Sequence, residues 1–223
     1  MAHDAEQPSF PEAGALFYHE LVLNNERPWW RANKTRWERD VRDPLERIMA
    51  DLRPEFGEAK IFRPYRDLRY GTDKTPYKTH QGAYISTGPA AGWYAELGVK
   101  GLMTGGGFYH AAAREIAAYR AAVDDPARGH ELEVILEELT SSGWEVAGDS
   151  LTTAPRGFSR DHPRIRLLRH KHLFVRRMVD PEVRGEDAAA ARIAADWIEI
   201  EPLIAWVSDE FEKTALMDEQ NAR

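Results

Sequence analysis

Apolar side chains return at every third or fourth position in the first quarter of the chain, which is the spacing of one helix face. This stripe consists of Trp37, Val41, Leu45, Ile48 and Leu52. Asp43 and Pro44 fall inside it and suit the cap and first residue of a renewed helix, so a kink or a restart is predicted there. Gly57 predicts the end of this helix. An earlier helix is predicted over 12–24.

The middle of the chain has short runs that are typical of strands. The predicted strands are Lys60–Arg63, Ala83–Ser86, Trp93–Val99, Leu102–Tyr109 and His172–Val179. Helical spacing returns at 111–123, 129–139, 161–168, 186–199 and 202–217. This order predicts an α+β fold, with a central antiparallel sheet flanked by N-terminal and C-terminal helices. We expect a single domain over 13–217, between tails at 1–12 and 218–223.

Composition narrows the function classes. The 223 residues include no cysteine, which excludes disulfides and cysteine-ligated metals and favours a reducing, cytoplasmic location. No apolar run reaches the ~20 residues of a membrane helix, and the first residues lack the order of a secretion signal, so we expect no membrane association. A formal net charge of −7 argues against nucleic-acid binding, which needs a broad positive surface. Nothing in the pattern predicts an oligomeric state.

Positive charge is concentrated in the segment from Lys60 to His80, which carries six Lys or Arg and two Asp although the whole chain is acidic. Aromatic and turn-forming residues separate these charges. The candidate anion-binding residues are Arg63, Arg66, Asp67, Arg69, Asp73, Lys74, Tyr77 and Lys78. A second basic segment, Arg160–Arg177, lies further along the chain. Additional candidates are His80, Arg156 and Lys171.

Two interpretations of the 63–80 segment remain open. In the first, its cations converge in a cleft on a small ligand that carries phosphate or carboxylate, because the planar guanidinium binds such groups through paired hydrogen bonds. An enzymatic role is then open, with Tyr77 or His80 as the acid–base group. In the second, Asp67 and Asp73 neutralise neighbouring arginines, and the network is a structural brace in a non-catalytic protein-interaction module.

Other motifs give weaker indications. Gly105-Gly106-Gly107 suits a bulge or tight bend in a sheet better than an anion-binding loop. The chain has neither a P-loop nor a dinucleotide-binding glycine motif, so the sequence indicates no particular cofactor. His170 and His172 are predicted on one face of a strand, but no third ligand follows with a familiar spacing, so we expect no metal site.

Several stretches, in this order, resemble the uncharacterised conserved hypothetical family called domain of unknown function 2461. They are Phe17–Asn25, Trp29-Trp30, Asn33-Lys34, Arg42–Leu45, Ile61–Arg63, Arg66–Tyr70, Asp73–Lys78, Gly105–Tyr109, Leu151, Pro155–Phe158, Asp161–Pro163, Leu168 and Lys171. The resemblance covers roughly residues 13 to 215. Trp30 and Tyr70 stand where the family usually has Phe, and both keep an aromatic ring. The resemblance implies a compact single domain with a shared site, and it implies no activity.

Overall fold

The computed structural model of the protein describes residues 8–69 and 72–221, with side chains as far as 213. Tyr70 and the outermost parts of both predicted tails lie outside these residues. The helices described are α1 (Glu12–Leu23), α2 (Arg27–Trp37), α3 (Asp43–Phe56), α4 (Ala113–Asp124), α5 (Pro126–Ser141), α6 (Ile165–Leu168), α7 (Glu186–Glu199) and α8 (Glu201–Asn221), with a π-helical segment, Glu38–Arg42, between α2 and α3.

The strands are β1 (Ala59–Ile61), β2 (His80–Ser86), β3 (Ala91–Gly98), β4 (Gly101–Phe108), β5 (Glu145–Ala147) and β6 (Leu173–Met178). Within the described residues they form one antiparallel sheet in the order β1-β2-β3-β4-β6-β5. The predicted α+β fold with an antiparallel sheet is therefore confirmed.

The chain divides into two compact units. The first consists of Met1–Ile85, Tyr94–Thr104 and Met178–Ala195. The second consists of Ser86–Trp93, Gly105–Arg177 and Asp196–Arg223. The single domain expected over 13–217 stays a prediction.

The helical stripe of the first unit faces its core, as the spacing predicts. All five of its members, from Trp37 to Leu52, are buried. The predicted interruption takes the form of the π-helical segment, which ends directly before Asp43 and Pro44. Pro44 has no N–H, so the hydrogen bond that an α-helix would form there is missing. Gly57 follows α3 with a φ of +99°, a left-handed conformation that favours glycine.

The second unit has an aromatic core of its own. The ring of Phe108 lies 5.0 Å from that of Tyr119 and 5.4 Å from that of Phe211, between centroids. Asp125 caps α5 by accepting hydrogen bonds from two backbone N–H groups of its first turn, at 3.0 and 2.9 Å. The ring contacts bring α4 and α8 together on β4.

The three consecutive glycines of β4 allow close approach of neighbouring backbone and side chains. A Cβ atom on Gly105 would collide with the carbonyl oxygen of Val175, and one on Gly107 with that of Leu173. A Cβ atom on Gly106 would lie 2.8 Å from the Cδ1 atom of Ile200. Packing therefore accounts for all three, in line with the structural interpretation.

The predicted histidine pair is not on a strand. Since β6 begins at Leu173, His170 and His172 both precede it, and the Nδ1 atom of His170 lies 3.0 Å from the carbonyl oxygen of His172. This contact of a side chain with the backbone stands in place of the expected strand pattern. In the described part of the chain, no three His, Asp or Glu side chains are grouped so as to hold a metal ion. Nor does any helix there have the length and apolar character needed to cross a membrane.

Candidate functional site

The basic segment forms an irregular hairpin between β1 and β2, which we call the 62–79 loop. Its two arms pair through their backbones: the N–H of Lys78 donates to the carbonyl of Pro64 at 2.8 Å, and the N–H of Arg66 donates to that of Pro76 at 2.9 Å. Tyr65 is thereby placed opposite Tyr77. The arms are held in register, and we call the described residues between them, 67–69 and 72–75, the loop tip.

The charged residues of the tip contact one another. The carboxylate of Asp67 accepts hydrogen bonds from the Nε (3.0 Å), Nη2 (2.7 Å) and backbone N–H (3.1 Å) of Arg69. These bonds hold the pKa of the Asp67 carboxyl well below its usual range. Lys74 donates from Nζ to the carbonyl of Leu68 at 3.0 Å. In this part of the predicted site, the charged side chains therefore make their hydrogen bonds within the tip.

Arg66 lies between the tip and the body of the unit. Its Nη2 atom lies 3.0 Å from the carboxylate of Asp73, which also accepts hydrogen bonds from the backbone and side chain of Thr75, at 2.9 and 2.8 Å. The Nε of Arg66 is buried and has no hydrogen-bond partner among the residues that the structure describes. Arg66 is therefore only partly satisfied by its own loop.

Tyr77 fixes the loop on the start of α2. Its ring stacks on that of Trp30, with 4.2 Å between centroids and 10° between planes. The side-chain amide of Asn25 donates to the Tyr77 carbonyl at 2.9 Å and accepts from its N–H at 3.1 Å. Tyr77 is only 5% exposed, and this burial raises the pKa of its phenol.

A cavity of about 520 Å³ opens between α2 and the 62–79 loop, and we call it the α2–loop cavity. It is lined by Arg27, Trp30, Arg31, Lys34, Tyr65, Arg66, Leu68, Pro76 and Tyr77. The three cations of α2 stand at positions i, i+4 and i+7, which share one helix face. The whole lining belongs to the first unit.

The cavity has more positive charge than its neighbours neutralise. Lys34 pairs with Glu38 at 3.2 Å, and Arg66 pairs with Asp73. Arg27 and Arg31 make no ion pair or hydrogen bond with any residue that the structure describes, and both are exposed. They lie close enough to Tyr77 for their charges to act on its pKa, in the direction opposite to burial. Within the part of the chain that the structure describes, two positive charges therefore remain without a protein partner.

The sequence of this chain matches a protein-family model. The model described as "Conserved hypothetical protein (DUF2461)" matches residues 14–206, which is most of the chain. The chain belongs to this family. No curated protein and no solved structure matches it. The match spans both α2 and the 62–79 loop, so the DUF2461 region contains every residue that lines the cavity.

Of the residues predicted from the sequence of this DUF2461 chain, Arg66 and Tyr77 belong to the cavity lining. Arg63 is exposed on the loop, and Lys78 lies with its Nζ 5.4 Å from the ring centroid of Phe62. Burial, together with the charges of Arg63 and Arg66, lowers the pKa of Lys78. The remaining residues of the main predicted set make contacts within the loop, as described above: Asp67, Arg69, Asp73 and Lys74.

The additional candidates occupy separate places. The Nε2 atom of His80 lies 3.8 Å from Oε2 of Glu96, and the Tyr94 hydroxyl donates to that same oxygen at 2.6 Å. Burial lowers the pKa of His80, although Glu96 acts in the opposite direction. Arg156 and Lys171 belong to the second unit, where Lys171 lies 4.0 Å from Asp149.

The predicted set does not include Arg27, Arg31 and Lys34. Their spacing in the sequence is that of one helix face, and the first two have no acidic residue placed to pair with them on that face. The sequence therefore shows a stripe of three cations on a short helix, two of which have no acidic residue to pair with on that face. What the spacing does not reveal is that the stripe borders the 62–79 loop.

Proposed function

We propose that the α2–loop cavity binds a small ligand that carries a phosphate or carboxylate group. The observation that supports this most strongly is the pair of unpartnered arginines, Arg27 and Arg31, beside a third arginine whose buried Nε is also unpartnered among the described residues. Like charges on one helix face repel one another. An anion in the cavity would relieve this repulsion and supply the missing hydrogen-bond acceptors.

The surroundings strengthen such binding. Trp30 and Tyr77 form an apolar wall beside the cations, and charge-assisted hydrogen bonds are stronger where water is partly excluded. A volume of about 520 Å³ lies within the range of small-molecule sites, roughly 300–1,000 Å³. Guanidinium groups can bind the oxygens of phosphate or carboxylate in pairs, which gives orientation as well as affinity.

The alternative of a structural brace in a non-catalytic interaction module accounts for another part of the loop. The contacts of Asp67, Arg69 and Lys74 are internal to the tip and need no ligand. They offer no role for the cations of α2. We therefore assign the tip to loop stability and the cavity to the ligand.

For an enzymatic role, the side chains differ in suitability. Burial raises the pKa of Tyr77, so its phenol stays protonated at neutral pH and is suited to donating a hydrogen bond. Burial lowers the pKa of His80, which favours the neutral imidazole that a general base requires. We propose ligand binding as the function. A cytoplasmic location is part of the same proposal, because the absence of cysteine favours a reducing compartment.

Calorimetric titration at low ionic strength tests this function, with inorganic phosphate, pyrophosphate and citrate as probes. We expect at least one probe to bind, and Arg31→Gln to weaken it about tenfold or more, because a hydrogen bond to a charged group contributes ~1.5–3 kcal/mol. Arg53→Gln is the matched control: it removes the same charge from α3, where Arg53 pairs with Glu58 at 2.7 Å.

Binding that Arg31→Gln and Arg53→Gln reduce equally would show a general charge effect and contradict the assignment. Absence of binding by all three probes would reject the anion site itself. Duplex DNA serves as a further arm at the same salt concentration. Retention of DNA that falls steeply with added salt would instead indicate a nucleic-acid surface.

A further inference from the structure

We infer that the ligand of the α2–loop cavity is a phosphate ester joined to a flat ring, as in a 5′-mononucleotide, with the ring against Tyr65. The inference rests on the proposed anion site and adds the chemistry of the ligand's other end. It comes from the aromatic part of the lining, which the anion site alone does not use.

The three aromatic rings of the cavity differ in how much surface they leave available. Trp30 and Tyr77 are 3% and 5% exposed, and each covers a face of the other by stacking. Tyr65 is 48% exposed, although its ring centroid lies 5.6 Å from that of Tyr77 and 6.4 Å from that of Trp30. An open ring supported from behind by two buried rings is a rigid platform for another ring.

The platform and the cations are within reach of one small molecule. Tyr65 and Arg66 are consecutive residues, and both line the cavity. Arg27 and Arg31 stand one turn apart on the opposite wall, which corresponds to a rise of about 6 Å along α2. A phosphate held by these arginines leaves a ring attached to it free to cover Tyr65.

The lining also indicates how selective such a site is. Its described side chains are cationic, aromatic or aliphatic, and they include no carboxylate and no amide. Carboxylate and amide groups are those that read the edges of cytosine and adenine, and the arginines, which can read guanine, are assigned here to the phosphate; stacking accepts any base. We therefore expect the site to require a ring and to discriminate only weakly between purine and pyrimidine. The chain has no P-loop, so side chains rather than a backbone cradle would hold the phosphate.

Four probes separate the two ends of the ligand: inorganic phosphate, ribose 5-phosphate, adenosine and AMP, titrated calorimetrically at low ionic strength. We expect AMP to bind about tenfold or more tightly than ribose 5-phosphate, which is within the contribution of one stacked base. UMP should bind within about tenfold of AMP. Tyr65→Leu should abolish the advantage of AMP over ribose 5-phosphate, and Tyr65→Phe should retain it, because the ring remains.

Tyr109→Leu is the matched control, since Tyr109 is similarly exposed, at 51%, but belongs to the second unit. Circular dichroism of each variant shows whether the fold is kept, and Tyr65→Phe gives a result even where Tyr65→Leu does not fold. Equal affinity for AMP and ribose 5-phosphate would overturn the ring assignment while leaving the anion site in place. Failure of every phosphate to bind would overturn the inference, and failure of citrate as well would overturn the anion site. Adenosine that binds as tightly as AMP would also contradict the inference.

Discussion

Arg27 occupies an electrostatically unfavourable position at the start of α2. It is the first residue of α2, where the partial positive charge of the helix N-terminus opposes a cation, and the first turn contains no acidic residue. Arg31 stands one turn further along the same face, and neither has an ion-pair partner among the described residues. Replacing Arg27 by Gln removes the charge and keeps a residue of similar helix propensity. We expect this variant to be more stable than the wild type.

The expected gain can be worked out from the two interactions that are relieved. A charge that opposes the helix dipole costs roughly 0.3–1 kcal/mol at an exposed site. A like-charged pair at i and i+4 costs roughly 0.2–0.5 kcal/mol more. Arg27→Gln should therefore raise the free energy of unfolding by about 1 kcal/mol at low salt. For a chain of this size, that corresponds to an increase in Tm of roughly 2–4 °C.

Thermal and urea unfolding at ~10 mM and ~1 M NaCl test this, because the Debye length falls from about 30 Å to about 3 Å over that range. The gain should shrink at high salt. Arg53→Gln has the opposite expected sign, since Arg53 lies in the last turn of α3, where the dipole favours a cation, and pairs with Glu58. If Arg27→Gln lowers stability at low salt, Arg27 is a structural partner, and the cavity has no spare charge at that position.

Three further predictions concern the rest of the protein. Asp196→Ala should lower the free energy of unfolding by about 3 kcal/mol in urea titration, because it leaves the largely buried guanidinium of Arg177 with one carboxylate fewer. Unchanged stability would contradict the importance of this ion pair. Gly107→Ala should lower the free energy of unfolding by more than about 1 kcal/mol, because the added Cβ atom collides with the β6 backbone. The control Gly88→Ala, whose Cβ atom meets open space, should lower it less, and equal losses would refute the packing role. Burial lowers the pKa of His80, so protonation favours the unfolded chain and the free energy of unfolding should fall as pH drops below about 6.5. In urea titrations at pH 7.5 and 5.5, His80→Gln should reduce this loss of stability. An equal loss in the variant and the wild type would argue against the role of His80.

The helical part of the fold could be predicted from local rules. The stripe from Trp37 to Leu52 has a spacing that only a helix can bury on one side, and Pro44 marks its interruption because it has no N–H to donate. The sequence does not specify that the interruption is a π-helical segment, because that choice depends on which side chains must stay buried on either side of it. The bounds of α7 coincide with the predicted helix at 186–199.

Elements that depend on distant partners were not predictable in this way. The strand β5 has three residues, Glu145–Ala147, and no apolar alternation long enough to be noticed. It exists because it pairs antiparallel with β6, more than twenty residues away, through contacts such as that of Val146 with Val175. Short edge strands of this kind depend on pairing with the neighbouring strand more than on their own sequence.

The candidate site shows the same division between local and distant information. The excess of cations in the 62–79 loop is visible in the sequence, but Asp67 and Arg69 pair with each other locally, so counting charges does not reveal which of them line the α2–loop cavity. The opposite wall depends on the stacking of Tyr77 on Trp30, two rings separated by almost fifty positions in the chain. Beside that contact, Arg27 and Arg31 of α2 line the same cavity as Arg66. Weakening the stack by Trp30→Leu should therefore reduce anion binding without changing any charge, whereas a site made by the loop alone would keep its affinity.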